Sequence, residues 1–310
     1  MTIKQDTVMN YTDELRARTV HVNAVLKDYM PRAEGFQKTV IEAVNYSMEG
    51  SGKRLRPMMM ECTYQMYGGR GPVIGPFMAA MEMIHNSSLI HDDLPALDND
   101  ALRRGRKTTH IEYGEPLAIM AGDVLLNYAY ETAVRAFEQV PRTEDLAQGY
   151  ARVAQALWVL ATKSGINGML GGQSCDVEYE GQALTETQVE FINKNKTGAL
   201  IEGSLMIGAI LAGAGSDQVQ KLESIGSDIG LAFQIRDDIL DVTGNAQEIG
   251  KPIGSDVRNK KTTYISLFGV QAGRQRVEQL SERALETFDS LDAEHGFLRQ
   301  LLEELATRRR

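Results

Sequence analysis

Apolar residues recur along this chain at spacings of three and four over long windows, while short alternating runs are few. That periodicity predicts helices near 11–29, 33–49, 55–67, 75–92, 116–138, 144–169, 186–212, 217–241, 262–288 and 293–308. The eight prolines fall mostly at plausible element boundaries. "LTETQVEF" offers Thr185 as an N-cap with Gln188 three residues on, the spacing of a capping box. "AGAGSDQV" ends one helix at glycines and lets Ser216 start the next. No low-complexity linker and no short-period repeat divides the chain. The pattern therefore predicts one all-α domain over residues 1–310, a large helical bundle.

Composition narrows the function classes. With 43% hydrophobic residues the chain can bury a large core, which excludes general disorder. Its 33 basic and 42 acidic residues give a formal charge of −9, which argues against a nucleic-acid binder. The two cysteines, Cys62 and Cys175, are far apart and have no CxxC partner. A disulfide framework or thiolate zinc site is not expected, and a reducing compartment fits. The first residues contain no apolar core of signal-peptide length, and no run of 18 apolar residues occurs anywhere. The expectation is a soluble, cytoplasmic protein without a transmembrane segment.

Two acidic clusters interrupt the helical pattern. "HDDLPALDND" places Asp92, Asp93 and Asp98 at the end of an apolar helix. "FQIRDDILD" places Asp237, Asp238 and Asp241 in another, with Asp237 and Asp241 sharing one face. Like charges at that spacing weaken a helix, and carboxylates beside apolar surface are costly without compensation. One such triplet can equally be a solvated helix end. Two of them, each near basic residues, point to bound cations, and hard oxygen donors without histidine or thiolate favour Mg²⁺. Pro95 breaks the first helix and could turn Asp98 back toward Asp92.

Basic groups alternate with these clusters. "SGKRLRP" holds Lys53, Arg54 and Arg56; Arg103 and Arg104 follow the first cluster. "INKNKTGAL" holds Lys194, Lys196 and Thr197, and "GKPIGSDVRNKKTTY" holds Lys251, Lys260 and Lys261. Guanidinium and ammonium groups suit phosphate oxygens. Carboxylates that hold cations, beside cations that hold phosphate, are what a metal-bridged diphosphate needs. His85 lies two helical turns before Asp92 on nearly the same face, and reads equally as a core group or a ligand. The 14 methionines read mostly as core filler, although "PMMM" and "MAAMEMI" could line an apolar channel.

Taken in order, "GKRLRP", "HDDLPALDNDALRRG", "GGQSCD", "KTGAL", "FQIRDDILD" and "GKPIGSDVRNKKTTY" resemble the trans-polyprenyl diphosphate synthases, the farnesyl and geranylgeranyl diphosphate synthase family. The resemblance runs from about residue 51 to residue 264. It implies the isoprenoid synthase fold, an all-α bundle around a deep central cavity, usually a homodimer. It implies condensation of isopentenyl diphosphate, head to tail, with dimethylallyl, geranyl or farnesyl diphosphate. Asp92, Asp93, Asp98, Asp237, Asp238 and Asp241 match the family's metal-binding motifs and would hold three Mg²⁺ around the allylic diphosphate. Arg103, Lys196, Lys251 and Lys261 would grip that diphosphate. Lys53, Arg56, His85 and Arg104 would hold isopentenyl diphosphate. Thr197 and Gln234 would face the reacting carbons, with Gln173 and Asp176 nearby. The sequence departs from the family at Ala101, where Asp is common, and in the turn "EGSG" before the basic motif.

Product length hangs on Ser87 and Ser88. Ser87 lies five residues before Asp92, roughly 7.5 Å down the helix axis, and Ser88 one turn below Asp92. In the family an aromatic at the Ser87 position blocks the tail at fifteen carbons, so serine favours C20 over C15. Tyr128 or Tyr130 could close the pocket instead. A longer-chain synthase, a class I terpene cyclase and a non-catalytic partner subunit are the rivals. The cyclase lacks an isopentenyl site, and the partner subunit should have lost carboxylates that are present here.

Overall fold

The computed structural model describes residues 10–142, 145–244 and 261–307. They form helices α1 (Tyr11–Asp28), α2 (Lys38–Met48), α3 (Leu55–Met66), α4 (Gly75–Asp92), α5 (Thr109–Tyr113), α6 (Glu115–Val134) and α7 (Ala136–Gln139). These are followed by α8 (Leu146–Ser164), α9 (Met169–Glu178), α10 (Glu186–Asn193), α11 (Ala199–Ala212), α12 (Ser216–Thr243), α13 (Tyr264–Asp289) and α14 (Gly296–Thr307). A 3₁₀ turn, Pro72–Ile74, precedes α4, and a π turn, Lys194–Gly198, joins α10 to α11. The strands among the described residues are two short ones, β1 (Leu102–Arg103) and β2 (Arg106–Lys107), paired antiparallel.

Two helices are apolar on nearly every side, which is the pattern of a helix wrapped by others. In α11 ("ALIEGSLMIGAILA") every residue but Met206 and Ala212 is buried, and α3, α8 and α12 pack around it. In α4 the residues from Gly75 to Ile84 are all buried, against α3 and α6. Met58, Met59, Met60, Met78, Met81 and Met83 are at most 1% exposed, so these methionines are core. Each such side chain contributes about 1.5–3 kcal/mol by leaving water. A bidentate pair, Arg283 Nε and Nη2 to the Asp228 carboxylate, fastens α13 to α12.

The predicted capping box forms between Thr185 and Gln188, and α11 ends at a left-handed Gly213. Ser216 starts α12 as expected, with Gly215 as N-cap and no side-chain cap hydrogen bond. Three departures bear on the site. The helix expected over 186–212 is interrupted by the π turn, where one extra residue per turn swings Lys196 and Thr197 out of α-helical register. Helix α9 was not expected, because "MLGGQSCDVE" has two glycines and no apolar stripe. Helix α13 contains a non-helical Gly269, so the expected 262–288 helix is kinked. No helix among the described residues is long and apolar enough to cross a membrane.

Candidate active site

The first acidic cluster forms where α4 runs out. Pro95 cannot continue the helix, and the chain turns back so that the Asp98 amide donates to the Asp92 carbonyl at 2.9 Å. Asp98 is thereby returned to the end of α4, as the Pro95 break suggested. The three carboxylates are not equivalent. Asp93 is 3% exposed and accepts from Arg103 at Nε (2.7 Å), with Nη2 at 2.6 Å. Asp92 accepts from Gln173 Nε2 at 2.7 Å, and Asp98 is exposed. Burial pushes the Asp92 carboxyl above its usual range; Lys196 opposes this and Asp98 reinforces it. Burial raises Asp93 too, against the pull of Arg103.

Arg103 leads into a two-residue hairpin. Arg104 (φ 52°) and Gly105 (φ 78°) both take left-handed conformations, as the commonest tight hairpin turn requires. This separates neighbouring arginines: Arg103 goes to Asp93, whereas Arg104 Nη1 donates to the Ser51 carbonyl in the basic loop. There Arg104 joins Arg56 and His85. Partial burial, then Arg56, Arg104, Arg103 and Arg54, hold the His85 imidazole well below its ordinary value, so it is neutral at pH 7. Burial lowers Arg56, offset by Glu82 and reinforced by Arg104, and the Arg56 Nε has no hydrogen-bond partner among the described residues. Lys53 is exposed beside them. Among the described residues, Glu82, already held by Arg54, is the carboxylate that opposes burial at both Arg56 and Arg104.

The second cluster lies on the last two turns of α12. Asp238 is 4% exposed, Asp241 partly buried and Asp237 exposed. Side-chain contacts carried on α9 and the π turn connect this cluster to the first. On α9, Gln173 and Asp176 are three residues apart and share a face. Gln173 donates to Asp92, while Asp176 Oδ2 accepts from Lys196 Nζ at 2.7 Å and from Lys261 Nζ at 3.4 Å. Next along the π turn, Thr197 Oγ1 donates to Gln234 Oε1 at 3.0 Å, and Gln234 Nε2 donates to Asp238 Oδ1 at 3.1 Å. Burial alone would raise the Asp176 carboxyl, but Lys196 and Lys261 outweigh it and hold it below the usual range.

The π turn comes this close to α9 because Gly172 has no side chain: a Cβ there would lie 2.2 Å from the Lys196 amide nitrogen. The glycine pair that hid α9 from periodicity is thus what lets it reach the site. Lys251 lies outside the described residues. His91 and His110 serve the fold: His91 packs against Gly122 on α6, and His110 is buried beside Thr108. Ser87 is 3% exposed, whereas Ser88 shares the accessible side of α4 with His85 and Asp92. Tyr128 and Tyr130 spend their hydroxyls on Arg135 and Ser164.

Among the described residues no three acidic, imidazole or thiol side chains converge closely enough to cage an ion. The donors present still fit Mg²⁺, which takes one or two carboxylates from a protein and fills its shell with water and substrate phosphate.

The family model described as polyprenyl synthetase matches residues 37–299. The chain is 39% identical to a farnesyl diphosphate synthase of Geobacillus stearothermophilus, over 93% of this chain and 94% of that one. It is also 39% identical to a geranylgeranyl diphosphate synthase of Cyanophora paradoxa, over 90% of each. A structure of a Helicobacter pylori geranyltransferase complexed with magnesium and isoprenyl diphosphate superposes with a TM-score of 0.78, at 27% identity, covering 98% of both chains. The linked acidic clusters thus lie in a chain that belongs to the polyprenyl synthetase family of prenyl diphosphate synthases and has its all-α isoprenoid synthase fold.

Proposed function

We propose that this protein is a Mg²⁺-dependent trans-prenyltransferase that adds isopentenyl diphosphate, head to tail, to allylic diphosphates, with the C20 product favoured over C15. The observation that carries this reading is the pairing of two unbalanced sites. At one end Asp92 and Asp98 repel each other; at the other Arg56 and Arg104 repel each other and crowd His85. A Mg²⁺-bound allylic diphosphate would relieve the first, and the diphosphate of isopentenyl diphosphate the second. Relatives named as farnesyl and geranylgeranyl diphosphate synthases support the substrate class, and a neighbour complexed with magnesium and isoprenyl diphosphate supports the metal.

In this reading Asp92 and Asp98 on one side, and Asp237, Asp238 and Asp241 on the other, hold the metal, with three ions expected. Asp93 contributes through Arg103, which it aims. Bound Mg²⁺ would neutralise the diphosphate and ease its departure. Lys196, Lys251, Lys261 and Arg103 take up the negative charge that grows on the leaving oxygens. Thr197 and Gln234, locked to each other and to Asp238, present oxygens beside the allylic carbon, where positive charge develops. Lys53, Arg56, His85 and Arg104 orient the isopentenyl double bond for attack. The proton then lost goes to the departed diphosphate, so no side-chain base is needed.

Ser88 is the residue of the pair that borders accessible space, and its small side chain supports a tail longer than fifteen carbons. A longer-chain synthase remains the alternative in the same class. The basic corner favours a prenyl synthase over a class I cyclase, which has no second diphosphate to hold. We further propose that the chain works as one domain and as a homodimer through α6 and α8. Ile119, Met120 and Val134 on α6, and Leu146, Tyr150 and Trp158 on α8, are large apolar groups left exposed. Mass analysis of products from dimethylallyl, geranyl and farnesyl diphosphate tests the reading: growth by C5 units ending at C20 is expected, and termination at C15 overturns the length assignment.

A further inference from the structure

Arg54 stands inside the basic loop, between Lys53 and Arg56, yet it is not available to a ligand. It is 5% exposed, and four of the five N–H donors of its guanidinium have partners. Nε donates to Asn23 Oδ1 on α1 at 3.0 Å, and Nη1 to Glu82 Oε1 on α4 at 2.7 Å. Nη2 donates to the Met48 carbonyl at 2.6 Å and the Gly50 carbonyl at 2.9 Å, at the end of α2. Glu82 is itself 3% exposed and lies one turn before His85 on the same helix. Arg54 is also the N-cap of α3 with φ 50° and ψ 38°, a left-handed conformation that a residue with a Cβ adopts reluctantly. No side-chain cap hydrogen bond supports that helix end, so the anchored guanidinium is what fixes the turn.

We infer that Arg54, held by Glu82, Asn23 and the end of α2, is a positioning residue that sets the isopentenyl diphosphate site without touching the substrate. The turn it fixes decides how Lys53, one residue before, and Arg56, two residues after, are presented beside His85 and Arg104. Three helices are referenced to one guanidinium, so the loop cannot shift against α4 while those contacts hold. Lysine cannot substitute: one ammonium cannot serve a carboxylate, an amide oxygen and two carbonyls in a planar fork. This rests on the proposed assignment of Lys53, Arg56, His85 and Arg104 to isopentenyl diphosphate.

The test compares the wild-type chain with Arg54→Lys, which keeps the charge, and Asn23→Ala, which removes one contact by truncating an exposed residue. Steady-state rates are measured with isopentenyl diphosphate varied at saturating allylic diphosphate, and the reverse. For Arg54→Lys the KM for isopentenyl diphosphate is expected to rise about tenfold, with kcat and the allylic KM within about twofold of wild type. Asn23→Ala is expected to move the same KM in the same direction by about twofold to threefold. A rise of both KM values together, a fall in kcat alone, or no change in either variant overturns the inference. A wild-type chain that elongates no primer overturns the underlying assignment instead, so the two failures are distinct.

Discussion

Replacing Lys163 with methionine should destabilise the protein by about 3 kcal/mol, because it strands a buried carboxylate. Lys163 closes α8 and donates to Glu202 Oε2 on α11 and to Glu223 Oε1 on α12, the latter at 2.6 Å. The Glu202 side chain is 3% exposed and that of Glu223 42% exposed, so the two partners differ in what they lose. Glu202 would be left buried without its Lys163 partner, and its Oε1 already lacks a hydrogen-bond partner among the described residues. Breaking a buried pair costs about 3–5 kcal/mol, and the partial exposure of Lys163 places this case at the lower end. Against a native stability of roughly 5–15 kcal/mol that is a large share. With an m-value of about 3 kcal/mol/M the urea midpoint falls by roughly 1 M. Glu223→Gln should cost at most about 1 kcal/mol, because that partner faces water. The double variant Lys163→Met, Glu202→Met removes both charges and should return to within about 1 kcal/mol of wild type. Urea melts followed by circular dichroism measure all four proteins. A Lys163→Met loss below about 1 kcal/mol, or a double variant worse than the single, refutes the reasoning. Burial pulls the Lys163 ammonium down, but Glu202 and Glu223 outweigh it and hold it above the ordinary lysine value. Its stabilisation is therefore complete below the unfolded value of about 10.4 and is lost as pH rises through the higher folded one.

His85 gives a pH signature of opposite sense. Its folded value is depressed, so below about pH 6.5 the unfolded chain takes up a proton that the native ring refuses. That destabilises wild type increasingly as pH falls below this value, and a His85→Asn variant should lack this part of the slope; parallel stability curves would reject the assignment. Mg²⁺ with inorganic diphosphate should raise the melting temperature far more than either alone, by the equivalent of about 2.7 kcal/mol at a hundredfold excess over Kd. Asp98→Asn should abolish that joint shift while changing ligand-free stability by no more than about 0.5 kcal/mol, and a shift that survives the substitution removes Asp98 from the metal site. Ser88→Tyr should shorten the product; Ser87→Tyr should do so as well, at about 1–3 kcal/mol of overpacking because Ser87 is enclosed. An unchanged product distribution removes the tested serine from length control.

Much of this was legible in the amino-acid sequence, and the gaps have physical causes. Long apolar periods revealed α4, α11 and α12, the first two because they are buried on nearly every side, and Thr185 and Gln188 announced their own cap. Helix α9 was missed because Gly171 and Gly172 weaken its propensity while serving a close approach that only the tertiary structure displays. The π turn was invisible because a register change leaves no mark in hydrophobic spacing. Both acidic triplets stood out, but the division of labour within the first did not. That Asp93 is tied to Arg103, Asp92 to Gln173, and Asp98 is exposed depends on where the chain turns after Pro95. Arg54 stood with Lys53 and Arg56 among the basic residues of "GKRLRP", and the resemblance gave it no role in the diphosphate site. Its side-chain partners are Asn23 and Glu82, 31 and 28 residues away.

The central claim is that the two acidic clusters and the basic corner act as one site for joining two diphosphate substrates. Incubating the purified protein with isopentenyl diphosphate, geranyl diphosphate and Mg²⁺, and weighing the prenyl products by mass spectrometry, tests it most directly. The account predicts products longer by whole C5 units, absent when Mg²⁺ is chelated and restored when it is returned. Intact geranyl diphosphate in the presence of Mg²⁺, or its conversion to a hydrocarbon without uptake of isopentenyl diphosphate, would contradict it.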